Sequence, residues 1–166
     1  MISKPEVNGW CQFGLGNFHG TPSFVTDVPV DLLDAFLQYH HIGFGMAWFD
    51  GEGSEFALIL TPYSIFIVEK KEAPVLYDLS DHKIAELEKE LIKDIEKDLY
   101  GWSMFTENTD TEEISFHRNM ILQEITKLKK IIDPEPAKRV FNKPMPVENP
   151  ASKELKAELR EKLAKF

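Results

Sequence analysis

Residues 42–79 read IGFGMAWFDGEGSEFALILTPYSIFIVEKKEAPVLYDL, and this stretch decides the fold. Apolar residues alternate along it between turn-forming clusters, the pattern of successive β-strands. In the first run Ile42, Phe44, Met46 and Trp48 point one way, and Gly43, Gly45, Ala47 and Phe49 the other. Asp50-Gly51-Glu52-Gly53 forms the first reversal, because glycine reaches positive φ at no steric cost and aspartate bonds its own backbone. Folding back around that loop pairs Met46 with Ala57, Phe44 with Ile59, Gly45 with Leu58 and Gly43 with Leu60. Thr61-Pro62-Tyr63-Ser64 forms the second reversal, with Pro62 suited to the first central position of a turn. It sets Leu60 near Ile65, Leu58 near Ile67 and Ala57 near Val68. Lys70-Lys71-Glu72 marks a third turn, and Pro74 to Leu79 an edge strand. The expected fold is α+β: an antiparallel meander of three to five strands packed by helices.

This register makes both faces apolar. Phe44, Met46, Ile59, Phe66 and Val68 line one; Phe56, Leu58, Leu60, Ile65 and Ile67 line the other. An antiparallel sheet with one wet face shows polar residues on that side. The middle strand is therefore expected to be covered on both sides, by the rest of the chain or by a partner.

Working outward, Asp27 to His41 reads as a helix with Asp27 as N-cap, Pro29 in the first turn and Gly43 at its end. Asp31 and Asp34 lie where the helix dipole favours carboxylates, His40 and His41 where it favours cations. Before it, Trp10 to Phe13, Asn17-Phe18 and Ser23 to Thr26 are candidate short strands at the sheet edge or over one face. After the meander, Ile84, Leu87, Leu91, Ile95, Leu99 and Trp102 make one helical stripe from Ser80 or Asp81 to Trp102, expected to pack on the sheet. Thr109 with Glu112 has capping-box spacing and opens a helix to Ile132, with Ile114, Ile121, Ile125, Leu128 and Ile132 inward. Residues 1–132 form the expected globular domain. Residues 133–149 hold four prolines and read as an extended linker. Residues 150–166 read as a C-terminal helix whose thin stripe, Leu155, Leu159 and Leu163, cannot hold it alone in water.

A chain of 166 residues is long enough to bury a core without staples, and its single cysteine can form no internal disulfide. The start, MISKPEVNGW, lacks the apolar run of a signal peptide, and no run approaches a membrane span, so a cytoplasmic setting away from membranes is expected. Charge is unevenly spread. Residues 1–126 carry 8 Lys+Arg against 22 Asp+Glu; residues 127–166 carry 11 against 6. The acidic body argues against direct nucleic-acid binding, which needs a basic footprint.

The candidate chemistry is sparse. Cys11 with a histidine is a nucleophile–base candidate, but it sits in a strand-like Trp-Cys-Gln-Phe run of an acidic body, where a buried thiol is the ordinary outcome. Cys11, His19, His40 and His41 are metal-ligand types without metal-ligand spacing. Gly14, Gly16 and Gly20 superficially suggest a phosphate loop, yet the lysine and following helix are missing. Asp50, Glu52 and Glu55 read as an exposed acidic turn. No catalytic residue, cofactor or metal is expected. The leading expectation is a non-enzymatic protein-binding or regulatory protein. Its partner, another protein or a second copy, would be met by the tail: Lys138, Arg139, Phe141, Leu155, Leu159 and Leu163. The alternatives are an acidic nucleic-acid mimic that inhibits a basic nuclease or DNA-binding protein, and a small hydrolase using Cys11.

Overall fold

The computed structural model describes residues 1–3, 5–6, 9–106 and 110–134. Within the unit Met1–Pro134, four consecutive strands form one antiparallel sheet in the order of the chain: β3 (Gly45–Asp50), β4 (Glu55–Leu60), β5 (Ile65–Lys70) and β6 (Val75–Asp78). A separate two-stranded hairpin, β1 (Phe13–Leu15) and β2 (Phe18–Gly20), precedes them. The helices are α1 (Val28–Ile42), α2 (Ile84–Lys97), α3 (Leu99–Met104) and α4 (Thr111–Ile132). The α+β meander is thus as expected.

The β4–β5 register matches the expected one residue for residue, with Leu60 opposite Ile65 and Leu58 opposite Ile67. The β3–β4 register is displaced by two: Gly45 pairs with Leu60, Met46 with Ile59 and Trp48 with Ala57. The cause lies in the loop. Asp50 belongs to the strand, opposite Glu55, and its carbonyl accepts the N–H of Ser23 at 2.8 Å. The reversal falls on Gly51 to Ser54, closed by the Gly51 N–H donating to the Ser54 carbonyl, with Glu52 and Gly53 at φ 53° and 130°. A displacement by two conserves side-chain parity, so every residue keeps its face.

One face of the sheet is covered. Ala47, Phe49, Phe56, Leu58, Leu60, Ile65 and Ile67 on that side are all 3% exposed or less. The cover is α1, which crosses β3 and β4, together with the β1–β2 hairpin. Gly45 makes the helix contact possible: a Cβ there would lie 1.9 Å from the Ala35 carbonyl oxygen, so only glycine admits α1 so close. The hairpin contributes Phe13 and Phe18, whose ring centroids lie 5.3 and 4.8 Å from that of Phe56. Gly16, at φ 58°, turns this hairpin, the role open to a glycine without a phosphate.

The expected packing of the post-meander helix on the sheet is corrected. That stripe is two helices, not one, and α2 packs chiefly on α1, α3 and α4 behind the first layer. The break is at Asp98 (φ −145°, ψ 57°), whose carboxylate accepts the Gly101 N–H at 3.0 Å and so caps α3. A short acceptor competing with the helix ladder is a known helix interrupter. It turns Trp102 fully into the core. α4 is capped by Asp110, which accepts the Glu112 N–H at 2.7 Å; Thr109, the expected cap, lies outside the described residues. Gly43 closes α1 at φ 76°, donating its N–H to Tyr39.

Candidate interaction face

The other face of the sheet carries Phe44, just before β3, and Met46 and Trp48 of β3, Ala57 and Ile59 of β4, Phe66 and Val68 of β5, and Leu76 of β6. Phe44, Met46 and Trp48 are 43–49% exposed and Leu76 is 60% exposed. On the two inner strands, flanked by neighbours on both sides, Ala57, Ile59, Phe66 and Val68 are half-buried. The result is an apolar surface that is most exposed along its two edge strands, β3 and β6. At spacings of about 4.8 Å between strands and 3.3 Å per residue, its footprint is on the order of 400 Å². That lies within the range of the largest apolar patch on a soluble monomer, a patch that is often functional. Among the described residues it contains no lone charge at its centre; Glu55 and Lys70 at one end neutralise each other at 2.5 Å.

Of the two faces expected to be covered by the rest of the chain or by a partner, the described residues cover one. Period-2 patterning could not say which, since both faces were apolar.

The most developed polar constellation was not foreseen. His117 of α4 lies buried on the inward stripe between Ile114 and Ile121. Its Nε2 meets Asp27 Oδ2 at 2.7 Å, and its Nδ1 meets the Ser103 carbonyl at 3.0 Å. A carbonyl and a carboxylate both accept, so the ring donates from both nitrogens as imidazolium. The Asp27 hydrogen bond is the main cause that raises its pKa, and burial opposes it. With both nitrogens committed, no lone pair remains for general-base work. Asp27 does precede α1 as the N-cap, but its side chain makes no capping bond; it serves the imidazolium instead. A titratable residue at a core-periodic position of a helix was the available signal.

Next to it, Asp31 also departs from expectation. Burial, then Asp27 and Asp34, push its carboxyl up to about 6, outweighing the helix dipole. His40 reaches across to Glu88, a buried carboxylate of α2 whose pKa burial raises. Cys11 is fully buried, and burial, then Glu6, push its thiol up to about 12. A thiol so held is protonated at neutral pH and gives no nucleophile. Among the described residues no three His, Cys, Asp or Glu side chains gather as metal ligands would, so Cys11, His19, His40 and His41 are not brought together. Asp50 accepts the Glu52 N–H at 2.6 Å, a turn contact. The acidic face of α2 is interleaved with lysines, as in Lys83–Glu86 at 3.2 Å and Lys97–Asp94 at 2.7 Å.

The six tail residues expected to meet a partner, Lys138, Arg139, Phe141, Leu155, Leu159 and Leu163, lie outside the described residues, as do the expected linker from 135 onward and the expected helix at 150–166. No described helix is long and apolar enough to cross a membrane. No family model matches the chain, and neither do any curated protein or solved structure.

Proposed function

We propose that this is a non-enzymatic protein-binding protein, acting in the cytoplasm, and that it binds through the open face of its sheet. The observation that carries the reading is the contiguous apolar surface of Phe44, Met46, Trp48 and Leu76 above a half-buried floor. The remaining chemistry is consistent with it: the one thiol is buried and protonated, and the buried imidazole is fully committed. A photo-crosslinking residue at position 46 tests this in the full chain. The expected outcome is a covalent protein–protein adduct mapping to the 44–48 strand, abolished by Leu76→Lys in the same chain. Crosslinks only to residues 135–166 of the same molecule, or none, would remove the reading. A second reading, an acidic mimic that occupies a basic nucleic-acid channel, is supported by the charge balance of residues 1–126. It requires affinity that collapses with salt, whereas contact through an apolar face does not.

A further inference from the structure

We infer that Asp27 and His117 form a proton-operated switch: with the ring protonated, Asp27 ties the start of α1 to α4, and with the ring neutral, Asp27 turns back to cap α1.

The geometry sets two competing tasks for one carboxylate. Asp27 stands at the N-cap of α1, where an aspartate ordinarily accepts from the second or third backbone N–H of the helix. The second residue here is Pro29, which has no N–H, so Val30 is the donor such a cap would meet. Asp27 makes no capping bond. Its Oδ2 meets His117 Nε2 at 2.7 Å, and its Oδ1 is buried without a partner. A buried acceptor left without a donor is costly, so it is the charge on the ring that keeps this carboxylate from the cap. On its other side the ring meets the Ser103 carbonyl at 3.0 Å. An imidazolium satisfies both acceptors; a neutral ring has one N–H and satisfies only one. The Ser103 carbonyl is fixed in the backbone of α3, whereas the Asp27 side chain rotates about its own bonds. The carboxylate is therefore the partner that leaves. The ring proton passes to solvent through the cavity that Asp27 and His117 both line.

The surrounding charges set where the exchange falls. On the α1 side Asp27 faces the ring, and Asp31 and Asp34 act on Asp27. From α3 the ring meets the uncharged Ser103 carbonyl, and on α4 itself Glu112 and Glu113 line the same cavity. α2 meets α4 at its far end, where Lys129 donates to Glu96. Among the described residues no lysine or arginine lines the cavity, so the local field is negative and favours the imidazolium. Asp31 ionises first, as pH passes about 6, and adds to that field. The exchange therefore comes above the ordinary histidine range, where the raised pKa of the ring lies.

Water-exchange and ring-nitrogen NMR of the full chain between about pH 5.5 and about pH 9 tests this. The ring should be an imidazolium at the low end and a neutral ring with its proton on Nδ1 at the high end. Through the same midpoint the Val30 amide should gain protection by about fivefold beyond the intrinsic pH dependence, the effect of one N-cap bond. Asp27→Asn carries no charge to hold the imidazolium, so it should lower the ring's midpoint and flatten the Val30 step. His117→Leu should keep Val30 at the protected level across the whole range. Should that variant not fold, the wild type and Asp27→Asn decide between them. A Val30 amide that stays unchanged while the ring titrates overturns the inference. So does a Val30 step whose midpoint differs from the ring's, or a ring already neutral at about pH 6.

Discussion

At the residue scale, charged groups placed inside make stability depend on pH. His117 is the clearest. Its pKa is raised in the folded protein, so its contribution is fully present below the ordinary histidine value and is lost as pH rises through the folded value. Replacing His117 by Leu should cost roughly 2–3 kcal/mol near pH 6, the range for hydrogen bonds to charged groups. The gap between wild type and variant should close as the pH is raised toward about 9. Urea midpoints across that range measure it, and a pH-independent gap would show that the ring acts by packing alone. The sequence placed Asp27 at the start of α1 but assigned it the wrong task. Its acceptor goes to an imidazolium ninety positions away, and no local pattern records a bond of that separation.

At the element scale, two short features decide how helices meet the sheet. Gly45 lets the backbone of α1 touch β3, and Asp98 divides one apolar stripe into two helices. Gly45→Ala should destabilise the fold by roughly 3 kcal/mol, because the new methyl meets a backbone oxygen that no rotamer change can move aside. The test is a lowered denaturant midpoint at unchanged m-value; a midpoint within error of wild type would mean that α1 lies farther off. The strand alternation and both hairpin positions were legible because a period of two and turn chemistry are local. The β3–β4 register was not, because whether Asp50 extends the strand depends on Ser23, which bonds its carbonyl from a distant part of the chain.

For the whole molecule, the N-terminal segment ties the first residues to α2. The α-amino group of Met1 is buried against Glu90 and Asp94, and Asp94 also accepts from the Ile2 N–H at 3.1 Å and from Lys97. Burial works to raise the Asp94 pKa, but these three donors together lower it. A depressed carboxylate contributes stability above its unfolded pKa and loses it as pH falls through the folded value. Asp94→Asn should therefore lower stability by about 1–3 kcal/mol at neutral pH and converge on wild type below about pH 3, read from acid and urea unfolding together. A constant offset down to the acid transition would place the effect elsewhere.

The sequence by itself determined the four strands of the meander, their turns and, through parity, which of their residues share a face; before α1 it did not, since the strands there are Phe13–Leu15 and Phe18–Gly20, and the expected strand at Ser23 to Thr26 is absent. A two-residue change of register could not disturb that assignment. It also showed that both faces were apolar, and for that reason it could not choose between them. Only the tertiary structure made the choice. Ala35 of α1 approaches at Gly45, and Phe13 and Phe18 of the hairpin close over Phe56, so that face is filled. Phe44, Met46, Trp48 and Leu76 are left on the other, where no described element packs over them, because helix-to-strand approach and aromatic closure are contacts between segments distant in the chain.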